Sequence, residues 1–171
     1  MSTSKVGIIM GSTSDWPVMQ EAAKILDKFN IPFEVQALSA HRVPNEVAAF
    51  AKNAAPSGMK VIIAGAGGAA HLPGVVAAHT TLPVIGVPCK SSISLDGWDS
   101  LLSIAQMPPG IPVATVGVDG GQNAGILAVQ IIALTDAAVA SALAKFKEEM
   151  KEKVLKANEE LKQYKFKNRT N

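Results

Sequence analysis

A chain of 171 residues can hold one domain with a good core and is too short for two ordinary ones. It is 48% apolar but only 5% aromatic, so small aliphatic side chains must build that core, and no apolar run approaches the ~20 residues that span a bilayer. The net charge of +2 hides an asymmetry: residues 145–171 carry nine Lys/Arg against five Glu, and residues 1–144 carry seven basic against nine acidic, so the surplus is a tail property and not a nucleic-acid groove. Residues 1–5 and the short apolar run behind them lack the build of a signal peptide, and Cys89 has no second cysteine to pair with. Both features suit a reducing, cytoplasmic setting. Lys90 beside Cys89 allows a reactive thiol; a small residue at a strand end is the plainer reading.

In chain order, the first predicted element is a strand over Val6–Met10. A helix follows over 15–30, with Val18, Met19, Ala22, Ala23 and Leu26 on one stripe and Glu21, Lys24 and Lys28 off it. Then come a strand over 33–38, a helix over 44–55 opening on Pro44, a strand over 61–64 and a helix over 71–80. A strand over 84–87, a short helix over 98–105, a strand over 113–118 and a helix over 121–134 complete the series. Most of the strands are continuous apolar runs, as expected where helices cover both faces. Strand and helix alternate five times, which predicts a five-stranded parallel sheet with right-handed crossovers. The expected fold class is an α/β, flavodoxin-like or Rossmann-like three-layer sandwich, one domain over 1–171.

The C-terminal segment is surplus to that plan. A single helix from Gly121 to Leu161 would be roughly 60 Å long, too long for the domain, and Thr135-Asp136 offers a cap for a second one. Over 136–162, Leu143, Phe146, Met150, Val154 and Leu161 recur at helical spacing or its multiples. That stripe could cover its own domain or a neighbour; since the domain already has its helices, a subunit interface is expected, with 163–171 as a basic tail.

In an open parallel sheet, ligands bind outside the carboxyl ends of the strands. After the first strand stands Gly11-Ser12-Thr13-Ser14-Asp15, entering a helix directly. Hydroxyls and amides at a helix start suit an anion; capping by Ser14 or Asp15 would use only one hydroxyl of the three. The loop matches neither Walker A nor Gly-x-Gly-x-x-Gly, so a phosphomonoester fits better than a triphosphate or dinucleotide. After the second strand stands Ser39-Ala40-His41-Arg42, where arginine and hydroxyl can clamp phosphate and His41 can move a proton near neutral pH. After the third stands Gly65-Ala66-Gly67-Gly68-Ala69-Ala70-His71-Leu72-Pro73-Gly74, whose lack of bulk lets backbone approach a flat ligand. His71 could contact ligand or brace this loop, and His79 reads as structural.

At these loops the sequence strongly resembles the PurE family, in its bacterial and plant class I form, the N5-carboxyaminoimidazole ribonucleotide mutases. The matching pieces are Met10-Gly11-Ser12-Thr13-Ser14-Asp15-Trp16, Ser39-Ala40-His41-Arg42 and the run from Gly65 to Gly74. Asp99-Ser100-Leu101-Leu102-Ser103-Ile104 and Gln106-Met107-Pro108 also match, in order and spacing, over roughly residues 5–140. Arg42, where the animal carboxylase type has lysine, and the run Gly67 to Pro73 place the resemblance with the mutases.

The resemblance implies conversion of N5-carboxyaminoimidazole ribonucleotide to 4-carboxy-5-aminoimidazole ribonucleotide in purine biosynthesis, with no metal or organic cofactor. It implies that Ser12, Ser39 and Arg42 bind phosphate, with Ser14 in the same loop, and that Asp15 faces ribose hydroxyls. His41 would be general acid and base, CO2 a bound intermediate, and Gly65, Ala66, Gly67, Ala70 and His71 the seat of ring and carboxylate. It also implies a homo-octamer. Pro109 and Asp119-Gly120-Gly121 depart from the family pattern, the latter standing where Lys-Ala-Gly is common. Two rival functions are a carboxylase using free CO2 and a flavodoxin-like binding domain; the latter would need aromatics around a flavin, and only Trp16 and Trp98 are candidates.

Overall fold

The computed structural model describes residues 5–170. Val6–Met10 (β1) is a central strand paired in parallel with Phe33–Ala37 (β2) and Val61–Gly67 (β3), and it is buried at every residue because helices cover both of its faces. Val84–Cys89 (β4) pairs with β3, and Ala114–Thr115 (β5) closes the far edge, giving the order β2-β1-β3-β4-β5. All pairs are parallel. The chain therefore moves one way from β1 to β2 and the other way from β1 to β3, which opens a crevice at the carboxyl ends of β1 and β3.

Successive side chains of these strands point to opposite faces, and each face has its own core. Ile8, Ile63 and Ile85 face Trp16–Lys28 (α1) and Gly121–Ala133 (α5). Ile9, Ile62 and Ala64 face Pro44–Ala54 (α2), Leu72–Ala77 (α3) and Trp98–Ala105 (α4). Helices α1 and α5 touch almost backbone to backbone: a Cβ on Gly121 would lie 2.0 Å from the Val18 carbonyl oxygen, and one on Gly125 would lie 3.0 Å from Ala22 Cα.

Several expectations change. The strand expected over 113–118 contributes only Ala114–Thr115 to the ladder, with one further bond from the Val116 amide to the Gly86 carbonyl. Pro112 lacks an amide to donate, and the chain turns away at Gly117 to Gly120. β2 is an edge strand whose Val35, Gln36 and Ala37 are exposed, so its alternation of apolar and polar residues marks an uncovered face. The helix expected over 71–80 shortens to α3, and the one expected over 15–30 begins with a 3-10 turn at Thr13–Asp15.

The surplus helix is Ala137–Leu161 (α6), capped by Asp136, whose Oδ1 accepts the amides of Ala138 and Val139 at 3.2 Å and whose Oδ2 accepts Lys5 Nζ at 3.0 Å. That lysine bond, with the capping amides, holds the Asp136 carboxyl below its usual range. The stripe splits in two. Leu143 and Phe146 pack in part on the domain's own core, Phe146 edge-on to Phe29 with centroids 5.5 Å apart. Met150, Val154 and Leu161 lie beyond the end of that core and are 43%, 63% and 50% exposed. No helix among the described residues is long and apolar enough to cross a membrane.

Candidate active site

Four loops leave the carboxyl end of the sheet and enclose a cleft of about 410 Å³. After β1, Ser12 caps the turn Thr13–Asp15 reciprocally: its Oγ accepts the Ser14 amide at 3.3 Å, and Asp15 Oδ2 accepts the Ser12 amide at 3.1 Å. The side-chain cap thus comes from Ser12 with Asp15 reciprocating, and not from Ser14. Because Ser12 Oγ serves there as acceptor, its proton stays available to an anion in the cleft. Asp15 is 6% exposed; burial raises its carboxyl above the usual range, against the opposing pull of the Ser12 amide.

After β2, the Ser39 carbonyl accepts the amides of Arg42 at 3.2 Å and Val43 at 2.9 Å, a tight turn that presents His41 and Arg42 to solvent at the cleft. Arg42 has no carboxylate partner among the described residues. His41 Nε2 stands 2.8 Å from His71 Nδ1, the rings edge to face. One proton serves that contact, carried by one of the two facing nitrogens. His71 lines the cleft, and its ring meets His41 across it; its side chain makes no capping bond to the helix it precedes.

After β3, the chain turns sharply through Gly68 (φ +60°) and Ala70 (φ +44°), with the Ala70 amide donating to the Gly67 carbonyl at 3.2 Å. A left-handed alanine is uncommon, and here it is buried at the base of the cleft. Gly67 must stay bare, since a Cβ would lie 3.0 Å from both the Cys89 carbonyl oxygen and Ser91 Cβ. Helix α4 braces this loop. The fully buried Ser100 Oγ lies 3.2 Å from the Gly68 carbonyl and 3.3 Å from that of Cys89, and Ser103 Oγ donates to the Ala69 carbonyl.

Ser12, Ser14, Asp15, Ser39, His41, Arg42, Ala66, Gly67, Ala70 and His71 therefore share one cleft. Gly65 does not line it: it is buried, and a Cβ there would meet Met19 Sδ at 2.2 Å, so its bareness serves packing of β3 against α1. Sequence reasoning missed the fourth wall, Ser91, Ser92 and Ile93. The polar run Lys90-Ser91-Ser92 directly after β4 was the available signal, since the strand-end rule applies to β4 as it does to β1 and β3. Cys89 is buried beneath that wall and does not line the cleft; burial, with Asp15 and Asp119 nearby, pushes its thiol up to about 12, so it stays protonated. No cluster of three or more His, Cys, Asp or Glu among the described residues could hold a metal ion.

Chemically, the cleft offers an exposed guanidinium and hydroxyls at one end, bare backbone in the middle and an imidazole pair that can pass a proton. A 2-1-3-4-5 sheet with such a cleft at its switch point defines the class, a flavodoxin-like α/β protein with a site for a small anionic molecule. The chain belongs to the AIR carboxylase family, whose profile matches residues 5–153. It is 58% identical over 147 residues to the N5-carboxyaminoimidazole ribonucleotide mutase of Pyrococcus abyssi, covering 86% of this chain and 84% of that protein. It is 54% identical over 163 residues to the mutase of Thermotoga maritima, covering 95% of each. It is also 55% identical over 163 residues to the phosphoribosylaminoimidazole carboxylase of Schizosaccharomyces pombe, covering 95% of this chain but 29% of that longer protein. The crystal structure of Treponema denticola PurE superposes with a TM-score of 0.82 at 28% identity, covering 92% of this chain and 98% of that one.

Proposed function

We propose that this chain is an isomerase of purine biosynthesis that converts N5-carboxyaminoimidazole ribonucleotide to 4-carboxy-5-aminoimidazole ribonucleotide, with His41 as the proton-transfer residue. The observation that carries this reading is the convergence of Ser12, Ser39 and Arg42 with the His41–His71 pair in one cleft, in a chain whose relatives bear that mutase name. In this reading the phosphate sits against Ser12, Ser14, Ser39 and Arg42, where charge-assisted bonds fix its position. Asp15 holds the ribose hydroxyls. Ring and carboxylate lie over Ala66, Gly67 and Ala70, whose small side chains let backbone come close.

His41 donates a proton to the substrate as the N5–carboxyl bond breaks and CO2 departs. C4 then attacks the retained CO2, a new C–C bond forms, and the C4 proton returns to His41. One proton is lent and recovered, so no net acid or base is consumed. Apolar cleft residues such as Leu72 and Ile93 would keep CO2 near C4, which replaces a bimolecular capture by an intramolecular one. The exposed stretch of α6 supports assembly into a homo-oligomer, proposed as an octamer, and the lone buried thiol fits a cytoplasmic setting.

The test is His41→Asn, which keeps a polar side chain and removes the titrating group. Turnover should fall by ~10²–10⁴-fold while ribonucleotide binding stays near wild type. Turnover within tenfold of wild type would overturn the assignment. A second reading, carboxylation of aminoimidazole ribonucleotide by free CO2, is favoured by the fission-yeast relative's name. Offering each substrate separately to the purified protein decides between them.

A further inference from the structure

The cleft's fourth wall is the loop from Lys90 to Gly97, and both its ends rest on one turn after β5. The Asp119 amide donates to the Pro88 carbonyl at 2.8 Å, and the Lys90 amide donates to Asp119 Oδ1 at 2.9 Å, so Asp119 clasps the end of β4 on either side of Cys89. At the other end, Gly97 is packed so closely that a Cβ would lie 2.5 Å from Val118 Cγ1. Asp119 has φ +56°, a left-handed conformation that aspartate tolerates better than most residues, and that conformation aims its carboxylate back at Lys90. Between the two anchored ends, Ser91 and Ile93 press on the β3 loop: Ser91 Cβ lies 3.0 Å from where a Gly67 Cβ would stand, and Ile93 Cδ1 lies 3.3 Å from where a Gly68 Cβ would stand.

We propose that Asp119 is a positioning residue for the substrate ring, acting by setting where Ser91, Ser92 and Ile93 stand against the Gly67–Gly68 floor of the cleft. The inference rests on the function proposed above. In the strand order, β4 lies beyond β3 from β1 and β2, so its loop forms the wall of the cleft opposite the β2 loop that carries Ser39 and Arg42, and in the proposed pose it faces what extends past the ribose. A displaced wall would loosen the aminoimidazole end of the ligand and leave the phosphate end untouched.

Two variants separate the hydrogen bond from the backbone. Asp119→Gly keeps the left-handed conformation at lower strain and deletes the acceptor; Asp119→Asn keeps both an acceptor and tolerance of that conformation. Binding of aminoimidazole ribonucleotide and of ribose 5-phosphate should be measured by calorimetry on full-length protein, with Tm beside it. Asp119→Gly is expected to bind the ribonucleotide about tenfold more weakly, to bind ribose 5-phosphate within twofold of wild type, and to melt within a few degrees of it. Asp119→Asn should bind both ligands as wild type does. Unchanged ribonucleotide binding by Asp119→Gly, equal losses for both ligands, or an Asp119→Asn variant as weak as Asp119→Gly would each overturn the proposal. Wild-type protein that binds neither ligand would instead overturn the functional reading itself.

Discussion

His41 and Arg42 sit side by side on one turn, yet they answer to different physics. Arg42 is an exposed guanidinium without a carboxylate partner among the described residues, so in the proposed reading its value lies in the ligand it meets. Arg42→Ala should weaken binding of the ribonucleotide by about 1.5–3 kcal/mol and leave binding of the phosphate-free riboside nearly unchanged. Equal losses for the two would assign Arg42 to the fold or the ring. Asp15 is the opposite case, a carboxylate held at a cost. Its pKa is raised in the folded chain, so the folded state binds more protons than the unfolded state and stability falls as pH rises from the usual carboxylate value through the raised one. Asp15→Asn should remove that slope and melt no lower than wild type at neutral pH, while ribonucleotide affinity drops. Parallel melting curves for the two proteins from pH 3.5 to 7 would show that burial of the charge carries no such cost.

Elements meet here through small residues. The α1–α5 contact depends on Gly121, because the atom in the way of a Cβ is the Val18 carbonyl, which belongs to helix backbone and cannot swing aside. Gly121→Ala should therefore cost about 3 kcal/mol and lower Tm by roughly 6–12 °C. Gly117 is the control: a Cβ there meets nothing within 4 Å, and Gly117→Ala should stay within about 0.5 kcal/mol of wild type. A similar loss at both positions would mean that helix or turn propensity governs and not the close approach. The same economy explains β3, where bare Gly65 admits Met19 into the core and bare Gly67 admits Ser91 over the cleft.

At the scale of the whole molecule, α6 is two helices in function. Up to Phe146 it completes the core of its own domain; Met150 still borders a groove against α1, and beyond it Val154, Leu155 and Leu161 are at least half exposed. A monomer seldom tolerates such a patch beside Leu155, itself 54% exposed. Truncation after Glu149 is expected to lower the oligomer mass in light scattering while each subunit keeps its fold and its ribonucleotide binding. A full-length protein that runs as a monomer at micromolar concentration rules out an interface role for this stretch. An unchanged oligomer after truncation assigns assembly to other surfaces, such as the exposed Ile93, Leu95 and Trp98 near the cleft mouth.

The sequence by itself determined what local periodicity and local chemistry can carry. The buried strands and the helices around them follow from runs of β-branched residues and from apolar stripes, and the strand-end loops bearing Ser12, Ser39, His41 and Arg42 follow from turn and hydroxyl residues placed after those runs. Matters that depend on residues distant in the chain were settled by the fold. His41 and His71 are 30 positions apart in the chain and meet because the loops after β2 and β3 leave the same end of one parallel sheet. β5 shrank to two residues because pairing needs a partner's register as well as β propensity. Gly65 left the site, Ser91 entered it, and Leu143 and Phe146 turned inward, each because packing against a remote neighbour is a property of three-dimensional distance that no spacing along the chain encodes.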